Sequence, residues 1–269
     1  MRICGIWILL LPGIFAVGCM QPLDSQGRAI LVAGRQQYGE SNYVQSSNTL
    51  SQFLEKYNRT QESGEAWYLR GLCYREIGTS NEAAAQADLK NAAARGADAG
   101  LRALSRVALG HMCYEKTTPD LAGAIEHYEK SLKGLKNEPP KDVVLYRLGT
   151  ALQKQGKWSQ ADRYFSQCFD TFGNSTFAPY ARKQFGSKMF RIQVTALSDL
   201  RNAQKKVQEL RGAGWKADWT AMQKEDGKML YQVRVGKYPN YGEAQKALAG
   251  IVKKEPEAEI VTASSAQTR

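Results

Sequence analysis

The chain has 269 residues, 43% of them apolar, with 37 lysines and arginines against 26 acidic residues and a formal charge of +11. This length allows two folded units, and the ordinary apolar fraction excludes a wholly disordered polypeptide. Because the positive excess is spread along the chain, it favours an anionic polymer or surface as a partner. A nucleic acid and a bacterial envelope both fit that description.

The first 18 residues are typical of an export signal. Arg2 provides a basic start, and residues 3–17 form an apolar run that is too short to cross a bilayer comfortably. Residues 16–19, Ala-Val-Gly-Cys, resemble the lipobox of bacterial lipoproteins, although leucine is commonest where Ala16 stands. The resemblance implies that Cys19 is acylated and anchors the protein to a membrane. An ordinary cleaved signal and an uncleaved anchor are the alternatives.

Residues 19–27 are predicted to form a polar tether between this anchor and the folded chain. Met20 follows the cysteine, and no aspartate is there to signal retention in the inner membrane. We therefore expect a cell-envelope protein on the periplasmic side, at the outer membrane rather than the inner one.

Residues 28–187 are dense in alanine and leucine and contain an internal repeat. Three units share a glycine in the first helix and an alanine in the second helix, and in two of them an aromatic residue, Tyr128 or Phe165, follows that alanine by four positions. They resemble tetratricopeptide repeats, which implies an α-solenoid whose concave face binds a protein partner. A fourth, degenerate unit is predicted at residues 28–38 and 43–57. The small residues that should let paired helices approach are Gly71, Gly110, Gly149, Ala83, Ala124 and Ala161.

The last third of the chain predicts a small α+β domain. Apolar and polar side chains alternate along its strands, and each helix carries a single apolar stripe. The order βαββαβ lays both helices on one face of a four-stranded antiparallel sheet and leaves the other face open. The strands are predicted at residues 190–194, 215–222, 231–236 and 258–262, and the helices at 200–210 and 241–252.

Four segments of this region occur in the order and spacing of the SPOR family, the sporulation-related repeat that binds peptidoglycan. They are residues 191–194, 210–215, 231–238 and 244–248. Residues 188–263 therefore resemble a SPOR domain, and residues 264–269 are predicted to be a disordered tail. One departure is Thr195-Ala196-Leu197, where the family often has a glycine, a small residue and an aromatic. The resemblance implies binding of glycan strands stripped of their stem peptides, in cell division or wall remodelling.

Strict alternation assigns side chains to the two faces of the sheet. If Ile192 and Val194 face the helices, other side chains of the two central strands face outward. Amide groups can donate to and accept from sugar hydroxyls and acetamido groups, and arginine can pair with a carboxylate. Leucine would contact the apolar face of a sugar. The predicted peptidoglycan-binding residues are Arg191, Gln193, Thr195, Leu230, Gln232 and Arg234. The alternative is that these residues are merely solvated.

The sequence lacks the motifs of common catalytic and metal sites. His111 and His127 each stand alone, without the spacing of zinc ligands. No nucleophile elbow or phosphate-binding glycine loop is present. Cys73, Cys113 and Cys168 fall inside apolar helical patterns, which predicts small buried residues. We therefore expect a non-enzymatic protein without a cofactor or a metal.

Two other functions fit parts of the pattern. An RNA-recognition module has the same βαββαβ order, but it stacks bases on aromatic residues where this chain has Gln193, Thr195, Gln232 and Arg234. An exported chain would also seldom meet RNA, so no nucleic-acid partner is expected. The second alternative is a repeat-based scaffold for an envelope assembly, in which the sheet domain only positions the repeats.

Overall fold

A computed structural model describes residues 22–224 and 226–263 of the protein. The predicted signal, the lipidation site Cys19 and the predicted tail at 264–269 lie outside these residues. The described residues begin with nine α-helices: α1 (Ser25–Gly39), α2 (Tyr43–Tyr57), α3 (Ser63–Ile77), α4 (Glu82–Arg95), α5 (Ala99–Glu115), α6 (Leu121–Leu132), α7 (Lys141–Lys154), α8 (Trp158–Thr171) and α9 (Ala178–Gln184). Within the described residues, no helix is both long enough and apolar enough to cross a membrane.

The helices pack as four consecutive pairs, α1 with α2 through α7 with α8, and α9 closes the last pair. The pairs approach closely where a glycine faces an aromatic ring. A Cβ placed on Gly110 would lie 2.5 Å from the Tyr128 ring, and one on Gly149 would lie 2.6 Å from the Phe165 ring. Both rings are fully buried. The glycines and aromatics of the repeat pattern are therefore in direct contact, and a solenoid of helical pairs is confirmed.

The alanine pattern is confirmed in two units and wrong in one. Ala124 and Ala161 are fully buried, as predicted. Ala83 is exposed, and its role is taken by the fully buried Ala85, whose carbonyl oxygen lies 3.2 Å from a Cβ built on Gly71. The reason is a short 3-10 turn at Thr79–Asn81, which delays the start of α4.

The three cysteines of the repeats, Cys73, Cys113 and Cys168, are free and buried, as their positions in apolar patterns predict. Burial raises the pKa of each thiol, most strongly that of Cys168, to about 11. The thiols therefore remain protonated and serve as small packing groups.

A polar network crosses the third and fourth pairs. The Tyr128 hydroxyl lies 2.7 Å from His111 Nδ1, and Arg147 Nη1 lies 2.9 Å from the same nitrogen. Arg147 also donates to Glu115 Oε1 over 2.6 Å. Burial, together with the charge of Arg147, lowers the pKa of His111 to about 3. A neutral imidazole suits this position, because a protonated ring would place a second cation beside the guanidinium.

This network predicts a loss of stability in mild acid. The folded pKa of His111 lies below its ordinary value of about 6.5, so the unfolded chain binds a proton first as the pH falls. Stability is therefore present in full above pH 6.5 and declines between about pH 6.5 and pH 3. Urea unfolding at pH 7 and at pH 4.5 measures the decline. His111→Gln should reduce this pH dependence of the free energy of unfolding. An unchanged pH dependence in the variant would contradict the assignment.

The described C-terminal region is the predicted α+β domain. Its elements are β1 (Met189–Leu197), α10 (Leu200–Gly212), β2 (Ala217–Gln223), β3 (Met229–Tyr238), α11 (Tyr241–Ile251) and β4 (Glu259–Ala263). The strand order is β2-β3-β1-β4, and every neighbouring pair is antiparallel. Ile192, Val194, Val233 and Val235 pack with residues of both helices in one core, which confirms that the helices share one face. Trp215 and Trp219 pack against the same core.

Candidate functional site

The centre of the sheet brings two of the predicted residues together. Gln193 of β1 pairs directly with Arg234 of β3, and their neighbours Ile192 and Val235 lie in the core on the helix side. Gln193 and Arg234 therefore lie on the face away from the helices. Gln193 is half-buried, and its side chain makes no hydrogen bond with any described residue. Its amide can thus serve an external ligand.

The outward row of β3 continues from Arg234 through Gln232 to Leu230. Arg234 is 6% exposed and donates from Nη2 to the Gln232 side-chain oxygen. Burial lowers the pKa of Arg234, and the nearby charge of Arg191 adds to this effect. Leu230 is half-buried and pairs with Met222 of β2. The row thus offers an amide, a constrained guanidinium and an apolar side chain, next to one another on one face.

Arg191 does not lie on the accessible surface, and the expectation that it faces solvent is wrong. Its side chain is 1% exposed. The register of β1 against β3 shifts beside it, and Gly236 adopts a φ of +67° at this bulge. Arg191 Nε donates to the Gly236 carbonyl over 2.8 Å, and both terminal nitrogens donate to the Asp218 carboxylate of β2, each over 2.8 Å. At this bulge, the Arg191 guanidinium therefore connects β1 to β3 and to β2 through these hydrogen bonds.

Thr195 is also displaced from the predicted face. A second register shift lies between Gln193 and Thr195, so Thr195 stands opposite Val233, a core residue. Leu197, two residues further, packs against the same core. The extra residue in β1 exchanges the two faces for the residues that follow Gln193. The strict alternation assumed for β1 therefore fails at Thr195.

The open face is bordered by the helical region rather than free on all sides. A cavity of about 710 Å³ lies between the sheet and the ends of α7 and α9, and it reaches all four strands. The sheet contributes Gln193, Gln232, Arg234, Thr220, Met222, Glu259 and Val261, among others, and the helical region contributes Thr150, Lys154, Lys183, Gln184 and Phe185. Phe185 is 47% exposed, so an apolar surface remains accessible at the rim.

Specific contacts fix the sheet domain against the last helical pair. The Trp158 indole N–H donates to the Pro239 carbonyl over 3.0 Å, and the Trp158 ring lies 4.9 Å from that of Phe190. Gly156 adopts a φ of +79°, and a Cβ there would lie 2.8 Å from the same Pro239 oxygen. Lys188 Nζ lies 2.5 Å from an Asp162 carboxylate oxygen. These contacts hold the two walls of the cavity at a set separation.

The residues of the helical wall were missed by the sequence reasoning. Lys154 is the last residue of α7, and its ammonium lies 5.4 Å from the Tyr114 ring centroid and 5.0 Å from that of Tyr241. Burial lowers the pKa of Lys154. The sequence shows only a lysine at the C-terminal end of a helix, where a cation interacts favourably with the helix dipole. That local explanation gives no hint of a cavity.

The described residues contain no cluster of three or more histidine, cysteine or acidic side chains that could hold a metal ion. His111 and His127 lie within the repeats and line none of the cavity. The described side chains that line the cavity offer hydrogen bonding, charge pairing and apolar contact.

Comparison with known families agrees with this architecture. Residues 186–262 match the family model of the SPOR domain, and residues 143–175 match that of a tetratricopeptide repeat. The second match covers α7 and α8, the pair against which the sheet is docked. A search of curated proteins finds no match to the chain. Both families are typically non-catalytic binding domains, and SPOR domains occur in cell-envelope proteins.

Proposed function

We propose that this protein, a chain in which tetratricopeptide helical pairs lead into a SPOR domain, binds peptidoglycan glycan strands on the open face of its C-terminal sheet. The SPOR match supports peptidoglycan binding in general. The observation that supports this particular surface is the paired, outward position of Gln193 and Arg234 at the centre of the sheet. Gln232 and Leu230 continue the surface, whereas Arg191 and Thr195 are left out because of the two register shifts.

The chemistry of these side chains suits a glycan. A sugar strand presents hydroxyl and acetamido groups that both donate and accept hydrogen bonds, and a glutamine amide does the same. Leu230, Met222 and Phe185 provide apolar surface for the ring faces. A base-stacking function is not favoured, because β1 and β3 present Gln193, Gln232 and Arg234 where an RNA-binding sheet presents aromatic rings.

The remaining parts of the chain complete the proposal. The helical pairs are proposed to bind a protein of the envelope, in keeping with the tetratricopeptide match. Acylation of Cys19 would tether the protein on the periplasmic side, at the outer membrane. In this arrangement the protein performs no reaction and connects a partner to the wall during division or wall remodelling. The scaffold alternative differs in that the sheet would position the repeats without holding glycan.

Sedimentation with purified sacculi tests the glycan proposal. We expect the purified protein to sediment with sacculi, and to do so more strongly after an amidase has removed the stem peptides. Gln193→Ala should weaken binding about fivefold to tenfold, since a hydrogen bond to an uncharged ligand group contributes about 1 kcal/mol. Gln208→Ala is the matched control, because this exposed glutamine lies on α10, on the other side of the sheet. If the protein fails to sediment with either form of sacculi, the scaffold alternative replaces the proposal.

A further inference from the structure

The cavity between the repeats and the sheet carries an excess of positive charge. Lys154 and Lys183 reach it from the helical region and Arg234 from β3, whereas Glu259 is the single carboxylate among its described lining residues. Neither lysine forms an ion pair with another described residue. The helical wall therefore presents two cations without a carboxylate partner towards the sheet.

Two aromatic rings hold the Lys154 ammonium in place. Tyr114 of α5 and Tyr241 of α11 both lie beside its ammonium, so one ring comes from the helical region and the other from the sheet domain. The faces of aromatic rings attract cations and restrict where the ammonium can lie. Its burial disfavours the charged form, as the lowered pKa indicates. A bound anion would offset that desolvation.

The position of these cations relative to the strands is set by the docking contacts. Gly156 and Trp158, at the start of α8, contact Pro239 directly after β3. Gln184 at the end of α9 receives a hydrogen bond from the Thr262 hydroxyl of β4, over 2.9 Å. Contacts at both ends of the cavity thus fix its two walls, and a ligand on the sheet face meets the helical wall without a domain movement.

We infer that the helical region completes the glycan site: Lys154 and Lys183 bind the carboxylate that muramic acid exposes once its stem peptide is removed. This inference rests on the proposed function, because it places the sugar strand on the sheet face. A stem peptide converts that carboxylate into an uncharged amide, so the two lysines would distinguish stripped strands from intact ones. The ammonium groups act as hydrogen-bond donors and charge partners, and no bond is formed or broken.

A glycan fits the cavity better than an acidic peptide does. An extended peptide gains its main-chain hydrogen bonds at the exposed edge of a sheet. This cavity is instead walled by the side chains of the sheet's face, with β1 and β3 in the middle of the four strands. Amides and hydroxyls on that wall match sugar substituents, and the cations lie opposite them. Its volume of about 710 Å³ is within the usual range for a small-ligand site.

Two soluble probes test the inference with the full chain. One is a set of short peptidoglycan strands stripped of peptides by an amidase, and the other is an N-acetylglucosamine oligomer of similar length, which lacks the lactyl carboxylate. Calorimetric titration should show that the unaltered protein binds the stripped strands at least about tenfold more tightly, through charge-assisted hydrogen bonds. The double variant Lys154→Gln with Lys183→Gln should lose this preference and keep the weaker affinity for the oligomer.

Control variants separate the possible outcomes. Lys133→Gln with Lys205→Gln removes the same charge at exposed positions away from the cavity and should leave both affinities unchanged. Gln193→Ala should lower the affinity for both probes by the same factor. If the Lys154/Lys183 variant retains the preference, the inference is overturned while the proposed function stands. If the unaltered protein binds neither probe, the proposed function itself fails. Binding of hexaglutamate as tight as that of the strands, and dependent on both lysines, would make the cavity a site for acidic peptides and overturn the inference.

Discussion

Asp218→Asn should destabilise the C-terminal domain by about 3 kcal/mol, because it leaves the Arg191 guanidinium buried without its counter-charge. Arg191 is 1% exposed, and two of its nitrogens donate to the Asp218 carboxylate. The Asp218 side chain is 40% exposed, so water offsets part of the loss, and the effect should fall near the lower end of the range for a broken buried pair. Urea unfolding monitored by circular dichroism measures the change in the free energy of unfolding.

Two controls identify the cause. Asp226→Asn makes the same substitution in the exposed pair with Lys228 and should leave the unfolding midpoint unchanged. Arg191→Met combined with Asp218→Leu removes both charges and should recover much of the loss, since no unpaired ion remains. Should Asp218→Asn prove harmless, the buried Arg191 guanidinium would not depend on this counter-charge, and the stabilising role given to the pair would be wrong.

Arg191 illustrates what the alternation of a strand does and does not predict. Period-two patterning assigned Ile192 and Val194 to the core correctly, because burial of apolar side chains fixes that face. The same patterning placed Arg191 and Thr195 on the open face, yet both lie beside register shifts. A bulge depends on the partner strand as much as on the strand itself, so one strand's sequence does not reveal it.

The sequence did not predict the cavity, and the reason differs from that for the bulges. The fold of each region follows from local signals, namely the glycine and aromatic spacing of the helical pairs and the βαββαβ order of the sheet. The docking of the two regions depends on contacts such as Trp158 with Pro239, which lie 81 residues apart. No periodicity links such positions. The open face was therefore predicted, but the wall that Lys154 and Lys183 add to it was not.

The internal repeat shows the same distinction within the helical region. Gly110 and Gly149 were correctly predicted to lie where paired helices approach closely, whereas their contacts with Tyr128 and Phe165 of the same pair emerge only from the structure. Ala83 was misplaced, because a 3-10 turn changed the length of one connection. Spacing thus predicts which residue types meet, whereas the exact partner depends on loop geometry.

Gly149→Ala should destabilise the last helical pair by about 2 kcal/mol, since a methyl group in a closely packed interior forces its neighbours to shift. The added Cβ would lie 2.6 Å from the Phe165 ring, which is fully buried and also packs beside Tyr146. Gly39→Ala is the matched control: it lies in α1 with nothing within 4 Å of the added carbon, and it should be neutral or slightly stabilising. Urea unfolding compares the two variants.

A compensating substitution tests the stated cause. Phe165→Leu shortens the opposing side chain, so Gly149→Ala should be much less harmful in that background than in the unaltered protein, with a coupling of about 1 kcal/mol in the double-mutant cycle. Additive effects would mean that the methyl group does not meet the ring.

Since α7 also carries Lys154 at its end, pushing α7 away from α8 should move the helical wall of the cavity. Gly149→Ala should therefore weaken the binding of stripped glycan strands even at temperatures where the protein remains folded.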